Sequence, residues 1–593
     1  VRFVWPRWDI TLKRLCSTTT PALRYTAIID DRNRMTDKLL NILAPRLVVG
    51  LKGIVLNDDE RRILSESPPA GIVLFSRNVA DAGQLRSLVS EVRDIVIEAS
   101  GLPPLVAADH EGGRISVLSR AIGTPPAQMA VAKAHDRSLC WEVFRQTAHR
   151  MRSCGVNMFL GPVADINTEY LNPVIGTRSF GEEMGEVDFL VGLAVKAFKD
   201  SGLLTCMKHF PGHGAAVGDS HLKLPVLGLT VDQLRDRDLV PFARGIQEGA
   251  DSVMMGHVAP ADRRLPSSLD REIVSGLLRG DLGFEGVVVT DALEMAGVVV
   301  REMPAGRAGD EESRDDAGRT TTEVIGLALE AGNDLLLFSR PAEEVFGELE
   351  SSLGEAKTSG SYRIERFDDI SGSSLDRIDE LRRRAKRLEG QVAGYMEEAP
   401  FESGGMEMIA SRVEDARPEA YRATAKSSVR VLKDTGSLLP VGSADGILIR
   451  FSGERGDFEN EVVRGFIEHV LGRLHGRRRG RGVSAGINSD DLFSPEKLRS
   501  ALRYRMPNSE EVHEFLELVA GDEPKEGAGV LFLLNRKPIT GEALSQVCSK
   551  ADIVVVAGWS YAAHFIHPDK TVIISYGIYE AAADVICDIL VGM

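Results

Sequence analysis

Residues 203–214 read Leu-Leu-Thr-Cys-Met-Lys-His-Phe-Pro-Gly-His-Gly, an apolar run of strand length that ends abruptly in a cation and an imidazole. The segment continues to Asp219-Ser220-His221, so Lys208, His209, His213, Asp219 and His221 fall within fourteen residues, with glycine and proline shaping the turn. A single loop histidine is usually an ordinary turn residue. A whole constellation of titratable groups is not needed for packing, because each buried polar group without a partner costs about 1–3 kcal/mol. That density marks a candidate reaction centre.

The same pattern, a short apolar run closed by a polar group, recurs along the chain. Leu47 to Gly50, Gly71 to Phe75, Leu105 to Ala108, Val156 to Leu160, Leu203 to Met207, Ser252 to Met255, Val287 to Thr290 and Leu335 to Phe338 are strand candidates separated by helix-length amphipathic segments. Asp109-His110-Glu111, Asp165, Lys208-His209, His257 and Asp291 each follow such a run directly. Eight β-α units in roughly 300 residues predict a (β/α)8 TIM-type barrel, whose C-terminal strand ends converge on one face. A doubly wound open sheet also gathers ligands at C-terminal strand ends and is the alternative.

A chain of 593 residues exceeds a single core, so more than one domain is expected. The reading divides it into a leader or extension at 1–45, the barrel at 46–397, a linker at 398–420 and an α/β sandwich domain at 421–593, possibly incomplete. Residues 1–34 are basic without an apolar signal core, and 303–319 is a polar insertion read as a surface loop. In the second domain Ser428 to Leu432, Gly446 to Arg450, Val530 to Leu534, Ile553 to Ala557 and Val572 to Ser575 are strand candidates. The basic run 477–482 reads as a solvated loop.

Lysine and arginine total 71 and aspartate and glutamate 87, a net −16 that opposes binding to nucleic acid. Apolar stretches reach strand length, short of the roughly 20 residues that span a bilayer. Six cysteines scattered without CxxC pairs fit a reducing compartment, and a cytoplasmic monomer is the expectation, the basic leader leaving organelle targeting open.

Asp291 ends the β-branched run Val287-Val288-Val289-Thr290, where a carboxylate serves as nucleophile, metal ligand or helix cap. Asp219 and His221 are two apart, which in an extended segment puts both side chains on one side. The carboxylate then holds the imidazole in one tautomer and steadies its protonated form, making a proton donor that later takes a proton from water. A carboxylate nucleophile with a separate proton donor is the machinery of retaining glycoside hydrolysis, here with histidine in place of the second carboxylate. Lys208, Arg178 and Asp109 offer charged hydrogen bonds to sugar hydroxyls.

These residues resemble the β-N-acetylglucosaminidases of glycoside hydrolase family 3, active on chitin fragments and muropeptides. The resemblance runs through Gly71 to Asn78, Asp109-His110-Glu111-Gly112-Gly113-Arg114, Gly161 to Asn167, Asn172 to Gly181, and above all Lys208 to His221. Residues 425–440 resemble the start of the family's C-terminal α/β sandwich. The resemblance implies an exo-acting retaining enzyme that releases terminal β-linked N-acetylglucosamine from a small carbohydrate and needs no metal or organic cofactor. It implies Asp291 as nucleophile, His221 as acid/base, Asp219 as its orienting partner, and Asp109, Arg178, Lys208 and His209 as sugar-binding groups.

The chain departs from the family pattern at His110, usually glutamine, and at Val117, usually arginine. The alternatives are a phosphorylase or β-glucosidase of the same family, a non-catalytic carbohydrate-binding scaffold, and a metal-dependent hydrolase using His209, His213, His221, His257, Asp219 and Asp291.

Overall fold

The computed structural model describes residues 40–216, 224–299, 319–359 and 372–397, and then 419–433, 448–454, 502–505, 514–520, 529–534, 551–558 and 569–591, with single positions near 460–470, 548 and 566. The leader 1–34, most of the insertion 303–319, most of the linker 398–420, the basic run 477–482, and Asp219 with His221 lie outside the described residues.

All eight expected runs are strands of one parallel sheet: β1 (Leu47–Gly50), β2 (Gly71–Leu74), β3 (Leu105–Ala108), then, beyond a hairpin of β4 (His110–Gly112) and β5 (Ile115–Ser116), β6 (Met158–Phe159), β7 (Leu204–Phe210), β8 (Ser252–Met255), β9 (Val287–Thr290) and β10 (Leu336–Pro341). The order β10-β1-β2-β3-β6-β7-β8-β9 is closed between its ends by the parallel bridge Val289↔Leu335 and the Thr290 N–H to Leu335 carbonyl bond. Closure decides for the barrel over the open sheet.

Alternation along each strand separates the two sides of the barrel wall, because successive side chains of a strand point to opposite faces. Val73, Ala107, Met158, Leu204, Met254 and Val289 belong to an interior cluster, whereas Ile72, Val106, Phe159, Met207 and Val253 pack outward with the helices. Those helices start where the local chemistry satisfies their first N–H groups. Asp81 accepts from Gln84 N, and capping boxes pair Asn57 with Glu60 and Thr320 with Glu323.

The charged stretch after the barrel is the helix Gly372–Glu397, which plugs the N-terminal end. Its Ile378, Leu381 and Ala385 join the interior cluster. Its arginines reach groups that precede the strands: Arg377 Nη2 lies 2.6 Å from the buried Asp334 carboxylate, which Arg279 Nη2 of the helix Glu272–Asp281 also approaches to 2.6 Å, and Arg384 Nη1 lies 2.6 Å from Asp251. Asp334 also accepts from Val288 N at 2.9 Å. Asp334→Ala leaves two guanidinium groups without their shared carboxylate, and removing one member of a buried pair costs about 3–5 kcal/mol. The denaturant midpoint should fall accordingly; an unchanged midpoint would show that the plug does not depend on this pair.

The second sheet runs β11 (Arg430–Lys433), β12 (Leu448–Glu454), β13 (Leu502–Arg505), β14 (Glu514–Ala520), β15 (Gly529–Leu533), β16 (Ile553–Val556) and β17 (Thr571–Ile574). Its order is β11-β17-β16-β15-β12-β14-β13, with a parallel centre and antiparallel flanks. Helix Glu419–Ser428 joins it to the barrel: Tyr421 Oη and Thr147 Oγ1 are 2.7 Å apart, and a single apolar cluster runs from Phe144 and Met151 to Tyr421, Ala425 and Ile586. Among the described residues no helix is long and apolar enough to cross a membrane.

Candidate active site

Six described groups meet at the C-terminal end of the barrel. Asp109 follows β3, Glu111 lies in the β4 arm of the hairpin, Arg178 comes from the turn Gly176–Arg178, Lys208 and His209 end β7, and Asp291 follows β9. They line one cavity of about 240 Å³. The hairpin turn needs its glycines: Gly112 and Gly113 have φ of 103° and 56°, and a Cβ on Gly112 would stand 2.0 Å from the Pro126 carbonyl oxygen. A side chain on Gly112 would push the hairpin away from Pro126.

The floor is an alternating charge network. Arg178 donates to Glu111 through Nε and Nη2, both at 2.8 Å, and Lys208 Nζ lies 2.5 Å from both Glu111 Oε1 and Asp109 Oδ1. Glu111 is 1% exposed at its side chain and Asp109 24%, so the first anchors the cations from below and the second faces the cavity. Burial opposes ionisation of Glu111, but Arg178 and Lys208 outweigh it and hold the carboxyl at about 2. Burial likewise opposes the charge on Lys208, and Asp109 and Glu111 overcome it, so the ammonium persists to higher pH than a free lysine.

His209 is fixed from both sides. Its Nδ1 lies 2.7 Å from Asp165 Oδ2 and its Nε2 3.3 Å from Arg178 Nη2. Arginine only donates, so Nε2 accepts and Nδ1–H donates to Asp165. The ring is neutral, and burial, with Arg178 next, pushes its pKa well below the usual histidine value. The fully buried Asp165 also accepts from the His213 backbone N–H at 2.7 Å, while Asn172 donates to the His213 carbonyl at 2.8 Å. His213 therefore structures the loop, as its position after Pro211-Gly212 suggests.

Asp291 sits half-buried at the cavity wall, its N–H bonded to the Met255 carbonyl and its Oδ1 accepting from Ala292 N at 2.8 Å. Burial acts to raise its pKa, but His257, His209, the Ala292 amide and Lys208 together carry it below the ordinary aspartate value. His257 lies underneath, fully buried: Nε2–H donates to the Ala292 carbonyl at 3.0 Å, so Nδ1 accepts from Ser268 Oγ at 2.8 Å. With both nitrogens of His209 and of His257 engaged, neither ring offers a lone pair to a metal ion. Among the described residues no three His, Cys, Asp or Glu side chains are grouped to hold one.

The structure thus brings together Asp109, Arg178, Lys208, His209 and Asp291. The site residues to which the glycosidase reading gave no role are Glu111, Asp165 and His257, the last of which was weighed only as a metal ligand. Each carries the signal that exposed the others, a polar residue directly after an apolar run, but a sequence does not show which of these groups face a ligand and which face one another. Asp219 and His221 lie outside the described residues; the flanks of their loop are joined by the antiparallel bridge Ala216↔Leu227.

Residues 35–369 match the family model described as glycosyl hydrolase family 3 N terminal domain. The chain is 32% identical over 335 residues to a beta-hexosaminidase of Chromobacterium violaceum, spanning 55% of this chain and 88% of that protein. It is 28% identical over 355 residues to a beta-hexosaminidase of Idiomarina loihiensis, spanning 58% and 98% respectively. A solved glycoside hydrolase family 3 beta-N-acetylglucosaminidase from Paenibacillus sp. str. FPU-7 superposes with a TM-score of 0.67 at 25% identity, covering 93% of this chain and 96% of that one.

Proposed function

Because the chain belongs to glycosyl hydrolase family 3, we propose that it is an exo-acting β-N-acetylglucosaminidase working through a covalent glycosyl-Asp291 intermediate. The observation that carries this reading is Asp291, ionised by its surroundings, on the same cavity wall as Asp109, Arg178 and Lys208. The two cations and Asp109 present donors and an acceptor that match the vicinal hydroxyls of a nonreducing-end sugar, holding C1 at the carboxylate. His209 acts through Arg178, whose guanidinium it touches.

In the first step Asp291 forms a bond to C1 while the bond from C1 to the leaving oxygen breaks, and that oxygen takes its proton from His221. In the second, His221 takes a proton from water, the water oxygen attacks C1, and the Asp291 ester is released. Asp219 orients His221 in this reading, on the strength of the Asp-Ser-His motif.

The nucleophile must be ionised, and its surroundings lower its pKa from the ordinary aspartate value, so the acid limb of activity should lie at lower pH than a free aspartate would give. The acid must be protonated, so turnover of a disaccharide should decline towards alkaline pH. His221→Ala should remove that limb and slow disaccharides by roughly 10²–10⁴-fold, with a smaller loss on aryl glycosides whose leaving groups need no proton. Equal losses on both substrates would take the acid role from His221. The substrate class is tested by a product profile on N,N′-diacetylchitobiose, a GlcNAc-anhydromuramyl sugar and an aryl glucoside; preference for the glucoside would overturn the N-acetylglucosaminidase reading.

A further inference from the structure

Asp165, in the loop after β6, is fully buried and has no part in the proposed reaction, yet both of its carboxylate oxygens meet N–H groups of the site. Oδ1 lies 2.7 Å from the His213 backbone nitrogen and 3.2 Å from that of His209. Oδ2 lies 2.7 Å from His209 Nδ1 and 3.3 Å from the His209 backbone nitrogen. Burial pushes this carboxyl above the ordinary aspartate value, while His213, the two backbone N–H groups and Arg178 act against that rise. A proton on Oδ2 would find an acceptor only in His209 Nδ1, and the ring's own proton would then sit on Nε2, facing the donors of Arg178. The surroundings therefore select a carboxylate paired with Nδ1–H.

The consequence falls on Arg178. A guanidinium has five N–H groups. Nε and one N–H of Nη2 go to Glu111 at 2.8 Å, the other N–H of Nη2 goes to His209 Nε2 at 3.3 Å, and one N–H of Nη1 goes to the Val174 carbonyl at 3.2 Å. Among the described residues that leaves one N–H, on Nη1, for a ligand in the cavity that Arg178 lines. The Glu111 carboxylate and the Val174 carbonyl can only accept. His209 is the one partner of Arg178 whose role can reverse, and it accepts only while Asp165 keeps the ring proton on Nδ1.

Resting on the glycosidase reading above, we infer that Asp165 is a positioning residue for sugar binding: it holds His209 as an acceptor and so keeps Arg178 turned to offer its remaining Nη1 N–H to a hydroxyl of the nonreducing-end sugar. Asp165→Asn reverses the arrangement by counting donors. The amide has one accepting and one donating end. Its oxygen must take the backbone N–H groups of His209 and His213, so its NH2 faces Nδ1 and drives the ring proton to Nε2, against Arg178. An aspartate-to-asparagine change beside a histidine is known to impose the wrong tautomer in this way.

The test uses the full chain. KM and kcat are measured on an aryl N-acetylglucosaminide, whose leaving group needs no proton, and the His209 tautomer is read by nitrogen NMR of isotopically labelled histidine, its signals identified by their loss in His209→Gln. Asp165→Asn should raise KM roughly ten- to a hundredfold with a smaller change in kcat, the scale of a misaimed binding group, and move the ring proton to Nε2. A merely structural loss would lower kcat and the thermal midpoint at unchanged KM, and that result overturns the inference. In a His209→Ala background Asp165→Asn should add less than about twofold in KM, because the two residues act as one unit. Full multiplication of the two effects shows that Asp165 does not act through His209, and also overturns it. Where Asp165→Asn fails to fold, the wild-type ring decides: Nδ1–H with a bare Nε2 supports the inference, and Nε2–H sinks it. Failure of the wild type on every N-acetylglucosaminide would remove the glycosidase reading, whereas the ring's protonation, read without substrate, still decides what Asp165 does to His209.

Discussion

Asp291→Asn should lose disaccharide hydrolysis by roughly 10⁴-fold or more in kcat, the scale seen when a covalent nucleophile is removed. The amide keeps the volume and can still take a hydrogen bond from Ala292 N, so folding and sugar binding are expected to survive. The charge is what disappears: the carboxylate that its surroundings hold ionised, and that the proposed mechanism uses to form the ester bond to C1. The measurement is single-turnover hydrolysis with an aryl glycoside carrying a fast leaving group, where wild type gives a burst and a trapped glycosyl-enzyme by mass spectrometry. A covalent adduct of unchanged rate in Asp291→Asn would remove the nucleophile from this position.

The second large effect concerns a residue that has no direct part in the chemistry. Glu111→Gln leaves Arg178 without its bidentate carboxylate and Lys208 with Asp109 alone. Breaking a buried ion pair on one side costs about 3–5 kcal/mol, and the two cations proposed to hold the sugar lose their fixed positions, so stability should fall and KM rise together. The pH dependence has a definite sign. The carboxyl is held at about 2 against 4.5 for a free glutamate, so it contributes stability above pH 4.5 that is lost as pH falls towards 2. The difference in urea midpoint between wild type and Glu111→Gln should therefore be full at neutral pH and shrink below 4.5. A difference independent of pH would mean that Glu111 matters for its shape and not for its charge.

These two residues mark what the order of residues places at the cavity and what it leaves open. Asp291 was legible because a β-branched run must be a strand, and its end in a β-α repeat must point to the functional face. Glu111 stands two residues from Asp109 in the same polar turn, and nothing in the order of residues shows that one faces the cavity and the other props up the cations. That depends on the Gly112-Gly113 turn folding the hairpin back beneath Arg178, a residue 67 positions away. His257 is similar: its place after β8 was visible, but its hydrogen bond to the Ala292 carbonyl, which fixes the turn bearing Asp291, joins two separate strand ends.

In the second domain, β11, β12, β15, β16 and β17 were anticipated as apolar runs, whereas β13 and β14 were not. Glu514–Ala520 reads Glu-Phe-Leu-Glu-Leu-Val-Ala, rich in good helix formers, and it becomes a strand through pairing with β12 and β13. Tertiary context overrides propensity there.

Local regularities are what the sequence determined by itself. The period-two strands, the capped helices, the eight repeats and the motif residues at their ends are each set by neighbours within a few positions, and they sufficed for the barrel and its family. Closure of the sheet through Val289 and Leu335, the stacking of Glu111, Lys208 and Arg178, and the approach of Gly558 and Ile578 to the barrel's cavity were decided only in three dimensions. Charges interact through distance and not along the chain, so groups from strands far apart in sequence acquire their roles only once the barrel has brought them within hydrogen-bonding reach.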